Sequence, residues 1–537
     1  MTAFLLVLAA VMFAGVLLNR ITSKLGVPLL LAFILLGMLF GEEGIGGISF
    51  DNFSVAETLC SVALIFIMFY GGFGTNWKVA KPVVSQSVLL STLGVILTAG
   101  LTGLFCRLAL GIGWLESFLI GSVIGSTDAA SVFYVLRSKR LNLKYNTASL
   151  LEVESGSNDP CAYMLTALFI SLLNGTNKDA WQILYMLFAQ IFYGVAFSVC
   201  IGFLAVAIMK RFSFAAAGFD AIFVFAVAVF AYAAPAAIGG NGYLSTYIVG
   251  VMLGNSAIRN KKSLVPFFDG ITGIMQMLLF FLLGLLSYPS KLIGVALPSL
   301  AIAVFLTFAA RPIAVGGLLL PFRSRLNQIA TVSWAGVRGA ASIVFAIMAH
   351  IALNGIISTD IFHIIFCIVL FSILLQGSLL GTVSGRLGMI DDDFDVMKTF
   401  SDYSDEVPVR FIQFRISEGH KWQETAVKNI ILPPETILVL IIRGEEKIIP
   451  NGRTVIKCGD LIVLSAVTSE NVEGIKLSEK LIKRGDETAG KSLRELPGED
   501  NALVIMIKRE GKIIIPKGNT VLKEGDVMVI NRTEQHG

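Results

Sequence analysis

From residue 2 to residue 385 the chain is a succession of apolar runs, each long enough to cross a bilayer. A spanning helix needs ~20 predominantly apolar residues. Thirteen stretches meet that rule, at roughly 2–19, 25–41, 55–73, 83–109, 115–135, 147–173, 181–209, 215–235, 242–258, 264–287, 291–312, 327–350 and 361–385. The pattern predicts an all-α polytopic membrane domain over residues 1–390. The first run, Thr2 to Leu18, lacks a basic leader and a small-residue cleavage site, so it reads as a retained span rather than a signal peptide.

The loops set the topology. Arg20/Lys24, Lys78/Lys81, Arg137/Lys139/Arg140/Lys144, Lys210/Arg211, Arg259/Lys261/Lys262 and Arg323/Arg325 fall in every second loop, and the alternate loops are nearly free of basic residues. Basic loops stay in the cytoplasm. Thirteen spans then put the N-terminus outside and the C-terminal tail inside a plasma membrane.

Charge density changes at the end of the last run. Residues 391–537 hold 21 Lys and Arg and 25 Asp and Glu, whereas the first 390 hold only 21 and 13. The acidic stretch 391–406 reads as a solvated linker. Beyond it, short β-rich runs broken by Gly and Asn-Gly predict strands and turns. The pattern repeats: KIIPNGRTVIKCGDLIVL (447–464) aligns with KIIIPKGNTVLKEGDVMVI (512–530). Two copies of a small α+β module are expected, over 407–468 and 469–537. The six cysteines are scattered, with no metal-binding or disulfide spacing. No basic cluster suggests nucleic acid.

Ionisable residues inside a membrane mark ion or proton paths by default. Away from the span ends these are Asp128 in the fifth span, Glu152, Glu154 and Asp159 in the sixth, and Arg338 in the twelfth. Ser155 and Asp159 are four residues apart, as are Glu154 and Asn158, so each pair shares a helix face. Asp159 with Ser155 offers hard oxygen ligands to a small cation or a proton. Arg338 reads as the one basic residue deep in a span, so it is the expected partner of Glu154, because an unpaired buried charge costs about several kcal/mol. Glu152 lies nearer the cytoplasmic end and reaches the interface by itself. Pro160 removes a backbone donor just past Asp159.

The fifth span contains GSTDAASV (125–132) and the twelfth GVRGAASI (336–343), running in opposite directions. Such a match is what an inverted repeat leaves, with a site near the midplane. Breaking the fifth helix frees carbonyls to coordinate a cation and lets Asp128 orient the site. Ser126 and Thr127, taken alone, read as helix packing. His350 and His363 read as interfacial packing near the outer face.

SGSNDP, STD and GVRGAAS, spread over about 390 residues and thirteen spans, resemble the NhaP-type cation:proton antiporters of the monovalent cation:proton antiporter-1 family. The resemblance implies crossed, partly unwound fifth and twelfth helices, a core domain moving against a dimerisation domain, and a homodimer in the lipid membrane. It implies that Asp159 binds cation and proton alternately, that Thr127 and Ser155 add ligands, that Asn158 and Asp128 hold the site together, and that Glu154 and Arg338 form a structural ion pair. An Asn-Asp pair implies electroneutral exchange. The third span departs from the family: FYGGF (69–73) puts Tyr70 where relatives carry an acidic residue, so Tyr70 enters as a candidate ligand. The tail repeats resemble RCK_C (TrkA-C) regulatory modules, without a strand-anchored GxGxxG for NAD. That tail favours K⁺ over Na⁺ as the substrate exchanged for H⁺, and suggests a small regulatory ligand such as cyclic di-AMP. No cofactor and no enzymatic activity are expected. A tail-gated cation channel is the competing class, but no TVGYG-like filter occurs.

Overall fold

The computed structural model describes residues 29–391 apart from 51, 139–140, 177–178, 213–217 and 259, residues 409–532 apart from short segments, and scattered positions between 9 and 17. The first apolar run and the 391–406 linker beyond Asp391 therefore lie largely outside the described residues. The chain divides into two compact units, Met1–Ser404 and Asp405–Gly537.

The first unit is helical. Its helices are α1 (Leu29–Phe40), α2 (Phe53–Gly74), α3 (Val84–Leu110), α4 (Trp114–Val123), α5 (Ala129–Ser138), α6 (Thr147–Leu173), α7 (Ala180–Arg211), α8 (Phe219–Ala236), α9 (Gly242–Gly254), α10 (Lys261–Leu286), α11 (Pro289–Phe322), α12 (Leu326–Trp334), α13 (Ala340–Ala352) and α14 (Ile361–Arg386). Among the described residues seven helices are long and apolar enough to cross a membrane, and α1, α4, α9 and α13 are shorter apolar helices. The 27-residue α6 has the length to cross, but its polar stretch 152–159 leaves it less apolar than the seven.

The eleventh apolar run, expected to end near residue 312, continues as helix to Phe322. Pro312 supplies no N–H, and its ring crowds the preceding turn of an α-helix. The chain accommodates it with a π-turn at Leu306–Ala310, immediately before Arg311. Similar π-turns lie inside α3 (Leu90–Gly94) and α14 (Ser372–Gly377). The fifth and twelfth runs are each interrupted. Residues 124–128 separate α4 from α5, and residues 335–339 separate α12 from α13.

Packing sorts the helices into two groups. In one, α9 lies against α2, α7 and α8, and α10 against α1 and α2. In the other, α4 lies against α3 and α6, α11 against α12 and α14, and α13 against α14. Helix α6 meets α9 across the boundary.

The second unit holds two four-stranded antiparallel sheets. The first comprises β1 (Val409–Arg415), β2 (Thr436–Arg443), β3 (Glu446–Ile448) and β4 (Leu461–Val467) in the order β1-β4-β2-β3. The second comprises β5 (Lys476–Leu481), β6 (Ala502–Arg509), β7 (Lys512–Ile514) and β8 (Val527–Arg532) in the order β5-β8-β6-β7. Each sheet carries a register shift at the equivalent place, Leu438/Leu440 and Val504/Met506. Each also carries the same two-pronged ion pair: Arg443 donates to Asp460 at 2.9 and 2.8 Å, and Arg509 to Asp526 at 2.7 and 2.6 Å. The arginines sit at the ends of β2 and β6, and the aspartates close the turns before β4 and β8. The paired hydrogen bonds hold both carboxyls below the usual carboxylate range.

Candidate functional site

The two breaks cross. The Asp128 N–H donates to the carbonyl of Val337 at 2.7 Å, joining one interruption to the other. Ser126 and Ser342 share a hydrogen bond of 3.2 Å across the same crossing. A Cβ added to Gly339 would fall 2.5 Å from Asp128 Cβ, so the approach needs a residue without a side chain. Both AAS triplets begin the helices that follow the breaks. Ser131 donates to Asp128 Oδ2 at 2.5 Å, and Ser342 faces Ser126.

Two of the carbonyls expected to be free in the fifth span accept hydrogen bonds. Arg338 Nη1 donates to the carbonyls of Gly125 and Ser126, at 2.9 and 2.7 Å. The guanidinium thus occupies acceptors that the broken helix can no longer satisfy, the need any interrupted helix faces in a bilayer. The backbone of Arg338 is held in turn, its N–H donating to Ser372 Oγ at 2.9 Å inside the π-turn of α14.

This corrects the expected ion pair. Glu154 pairs with Arg311, not with Arg338: an Arg311 Nη2 hydrogen bond reaches Glu154 Oε1, with both side chains fully buried. An eleventh run that ends at Pro312 places Arg311 at a span end rather than inside the membrane. A guanidinium flanked on both sides by apolar stretches, LTFAA and PIAVGGLLL, was the available signal.

On α6 the polar cluster meets the fifth-span break. Thr127 Oγ1 and Ser155 Oγ lie 2.9 Å apart, and Asn158 Nδ2 donates to Thr127 Oγ1 at 2.5 Å. Asp159 is buried on the next position, faced by the Ser126 hydroxyl and the Asp128 carboxylate. Among the described residues, Asp159 Oδ1 and Asn158 Oδ1 are buried with no hydrogen-bond partner. Two unsatisfied acceptor oxygens beside two hydroxyls make a concentration of hard ligands that the apolar surroundings do not relieve. Thr127, Ser155, Asn158, Asp159 and Asp128 are therefore brought to one place.

Tyr70 is placed differently. Its hydroxyl donates to Asp269 Oδ1 of α10 at 3.1 Å, and its ring packs beside the core formed by Phe69, Phe73 and Phe268. Asp269 is a carboxylate near the start of the tenth apolar run, and no spacing along the chain links it to Tyr70. Among the described residues, no cluster of His, Cys, Asp and Glu could hold a metal ion.

Residues 7–384 match the sodium/hydrogen exchanger transmembrane family, and residues 478–531 match the TrkA-C domain. The K(+)/H(+) antiporter NhaP of Alkalimonas amylolytica is 36% identical over a match covering 70% of this chain and 65% of that protein's length. The K(+)/H(+) antiporter NhaP2 of Shewanella sp. strain MR-4 is 33% identical, over 86% of this chain and 80% of that protein. The solved sodium proton antiporter MjNhaP1 from Methanocaldococcus jannaschii at pH 8 shares the fold, with a TM-score of 0.63 at 24% identity, covering 71% of this chain and 97% of that one. With a family match across nearly the whole helical unit, the chain belongs to the sodium/hydrogen exchanger family.

Proposed function

We propose that this protein is a secondary antiporter exchanging a monovalent cation for a proton, with Asp159 as the group that takes either. The observation that carries the reading is the buried, unpartnered Asp159 Oδ1 on the helix whose Ser155 and Asn158 meet Thr127. An empty carboxylate at this depth is costly to move, so each crossing takes cation or proton. Exchange follows from their competition combined with alternating access. Thr127 and Ser155 add oxygen ligands, while Asn158 braces Thr127 without adding charge, which favours electroneutral exchange. Asp128 fixes the crossing through its backbone and through Ser131. Glu154 and Arg311 are the structural ion pair.

Potassium is the favoured substrate. Two relatives named K(+)/H(+) antiporters match 70% and 86% of the chain, and the tail carries a TrkA-C domain. The reading includes thirteen spans, a homodimer in the bacterial plasma membrane, an outside N-terminus and a cytoplasmic tail. It treats both sheets of the tail as RCK_C-type modules that respond to a small ligand such as cyclic di-AMP. The matching strand order, register shift and Arg–Asp pair support reading the two sheets as copies of one module.

The test is a pH-dye assay on inside-out vesicles holding a proton gradient, with K⁺, Na⁺ and Li⁺ added separately. Cation-dependent proton release that vanishes in Asp159→Ala supports the reading. Proton movement without cation dependence, or exchange unchanged in Asp159→Ala, sinks it.

A further inference from the structure

The α6 helix presents two faces. Ser155, Asn158 and Asp159 form the candidate site. The neighbouring positions Gly156, Pro160 and Tyr163 meet α9. A Cβ on Gly156 would lie 2.9 Å from the Tyr247 ring, and the rings of Tyr163 and Tyr243 meet edge-on at 5.2 Å. Between these two contacts lies the polar one. Asn241, buried at the start of α9, donates from Nδ2 to the carbonyl of Pro160 at 2.9 Å.

Asn241 ties three helices together. Its Oδ1 caps α9 by accepting from the Leu244 N–H at 3.0 Å, and its own N–H donates to the carbonyl of Gln190 on α7 at 3.0 Å. Its remaining side-chain donor reaches the residue next to Asp159. A side-chain amide can cap and bridge at once, because it carries both an acceptor and donors. Capping alone is met equally well by Asp or Ser, and neither of those also supplies a donor able to reach Pro160.

We propose that Asn241 is a positioning residue for transport, a latch that registers the cation-site helix α6 against the α7–α9 group in one of the two access states. The inference rests on the alternating-access reading above. If α6 shifts against α9 to expose Asp159 to the other side, the Asn241–Pro160 bond is made in one state only. Its loss then shifts the balance between the states without touching a ligand of the site.

The experiment uses the full chain, in inside-out and right-side-out vesicles, with half-saturating K⁺ measured at each face. Asn241→Asp keeps the cap but turns a carboxylate oxygen toward Pro160. Asn241→Ser also keeps the cap and is too short to bridge. Asn241→Ser is expected to melt in detergent within a few degrees of the parent, and Asn241→Asp lower, because it buries a carboxylate without a partner. Both are expected to change the ratio of the two half-saturating concentrations by about tenfold, moving them in opposite directions, as a population shift requires. A ratio within about twofold of the parent in both variants overturns the latch. A parent protein with no cation-dependent proton exchange overturns the antiport reading instead.

Discussion

Arg311 and Glu154 form a fully buried ion pair between α11 and α6, while Arg338, also fully buried, binds the carbonyls of Gly125 and Ser126. The two guanidiniums therefore do different work. One neutralises a carboxylate, Glu154, five residues before Asp159. The other closes an opened helix.

Removing one member of a buried pair leaves an uncompensated charge, at a cost of about 3–5 kcal/mol. Arg311→Ala and Glu154→Ala should each lower the thermal stability of the detergent-solubilised protein markedly. The exchanged pair Glu154→Arg with Arg311→Glu should recover part of that loss. Glu154→Arg combined with Arg338→Glu should recover none of it, because Arg338 serves carbonyls that a carboxylate cannot satisfy. Melting curves of the four variants decide the matter.

At the site itself, Asp159→Asn should abolish exchange while leaving the protein folded. Ser155→Ala and Thr127→Val should each raise the half-saturating cation concentration, by about tenfold if one ligand contributes ~1.4 kcal/mol. Cation and proton compete for one carboxylate, so the half-saturating cation concentration of the parent should rise as the pH falls. Vesicle assays at several pH values read both effects.

Gly339→Ala should disable transport without preventing membrane insertion. The new methyl group would fall against Asp128, and forced overpacking costs about 1–3 kcal/mol. A variant that inserts, melts lower and exchanges poorly is expected. Parental exchange rates in Gly339→Ala would show that the breaks need not cross so closely.

The tail should show an acid-sensitive stability. Arg443 and Arg509 depress the carboxyls of Asp460 and Asp526. A depressed carboxyl stabilises the fold fully above its unfolded value of about 3.9. That contribution is lost as the pH falls through the lower folded value. Urea unfolding of residues 405–537, followed by circular dichroism, should give a midpoint nearly flat from neutral pH down to about 4 and falling below it. Asp526→Asn should cost about 1.5–3 kcal/mol, as expected for a buried charge-assisted hydrogen bond, and should reduce that acid dependence.

Hydropathy alone located the helical unit, and spacing along α6 alone grouped Ser155 with Asp159, because both are local periodicities that a one-dimensional pattern preserves. The repeat in the tail was legible for the same reason: the strands, the shared turns and the Gly-Asp pairs at 459–460 and 525–526 recur in order. Three things required the tertiary structure. Whether Glu154 faces residue 311 or residue 338 depends on how distant helices pack, and Pro312 masked the continuation of α11 through its π-turn. The carbonyls of Gly125 and Ser126 looked available until Arg338 came into reach across the crossing. Tyr70 found its carboxylate partner, Asp269, on a helix about two hundred residues away, a separation at which sequence spacing carries no geometric information. Burial and periodicity are written along the chain; the partner of a buried charge is settled only when the helices meet.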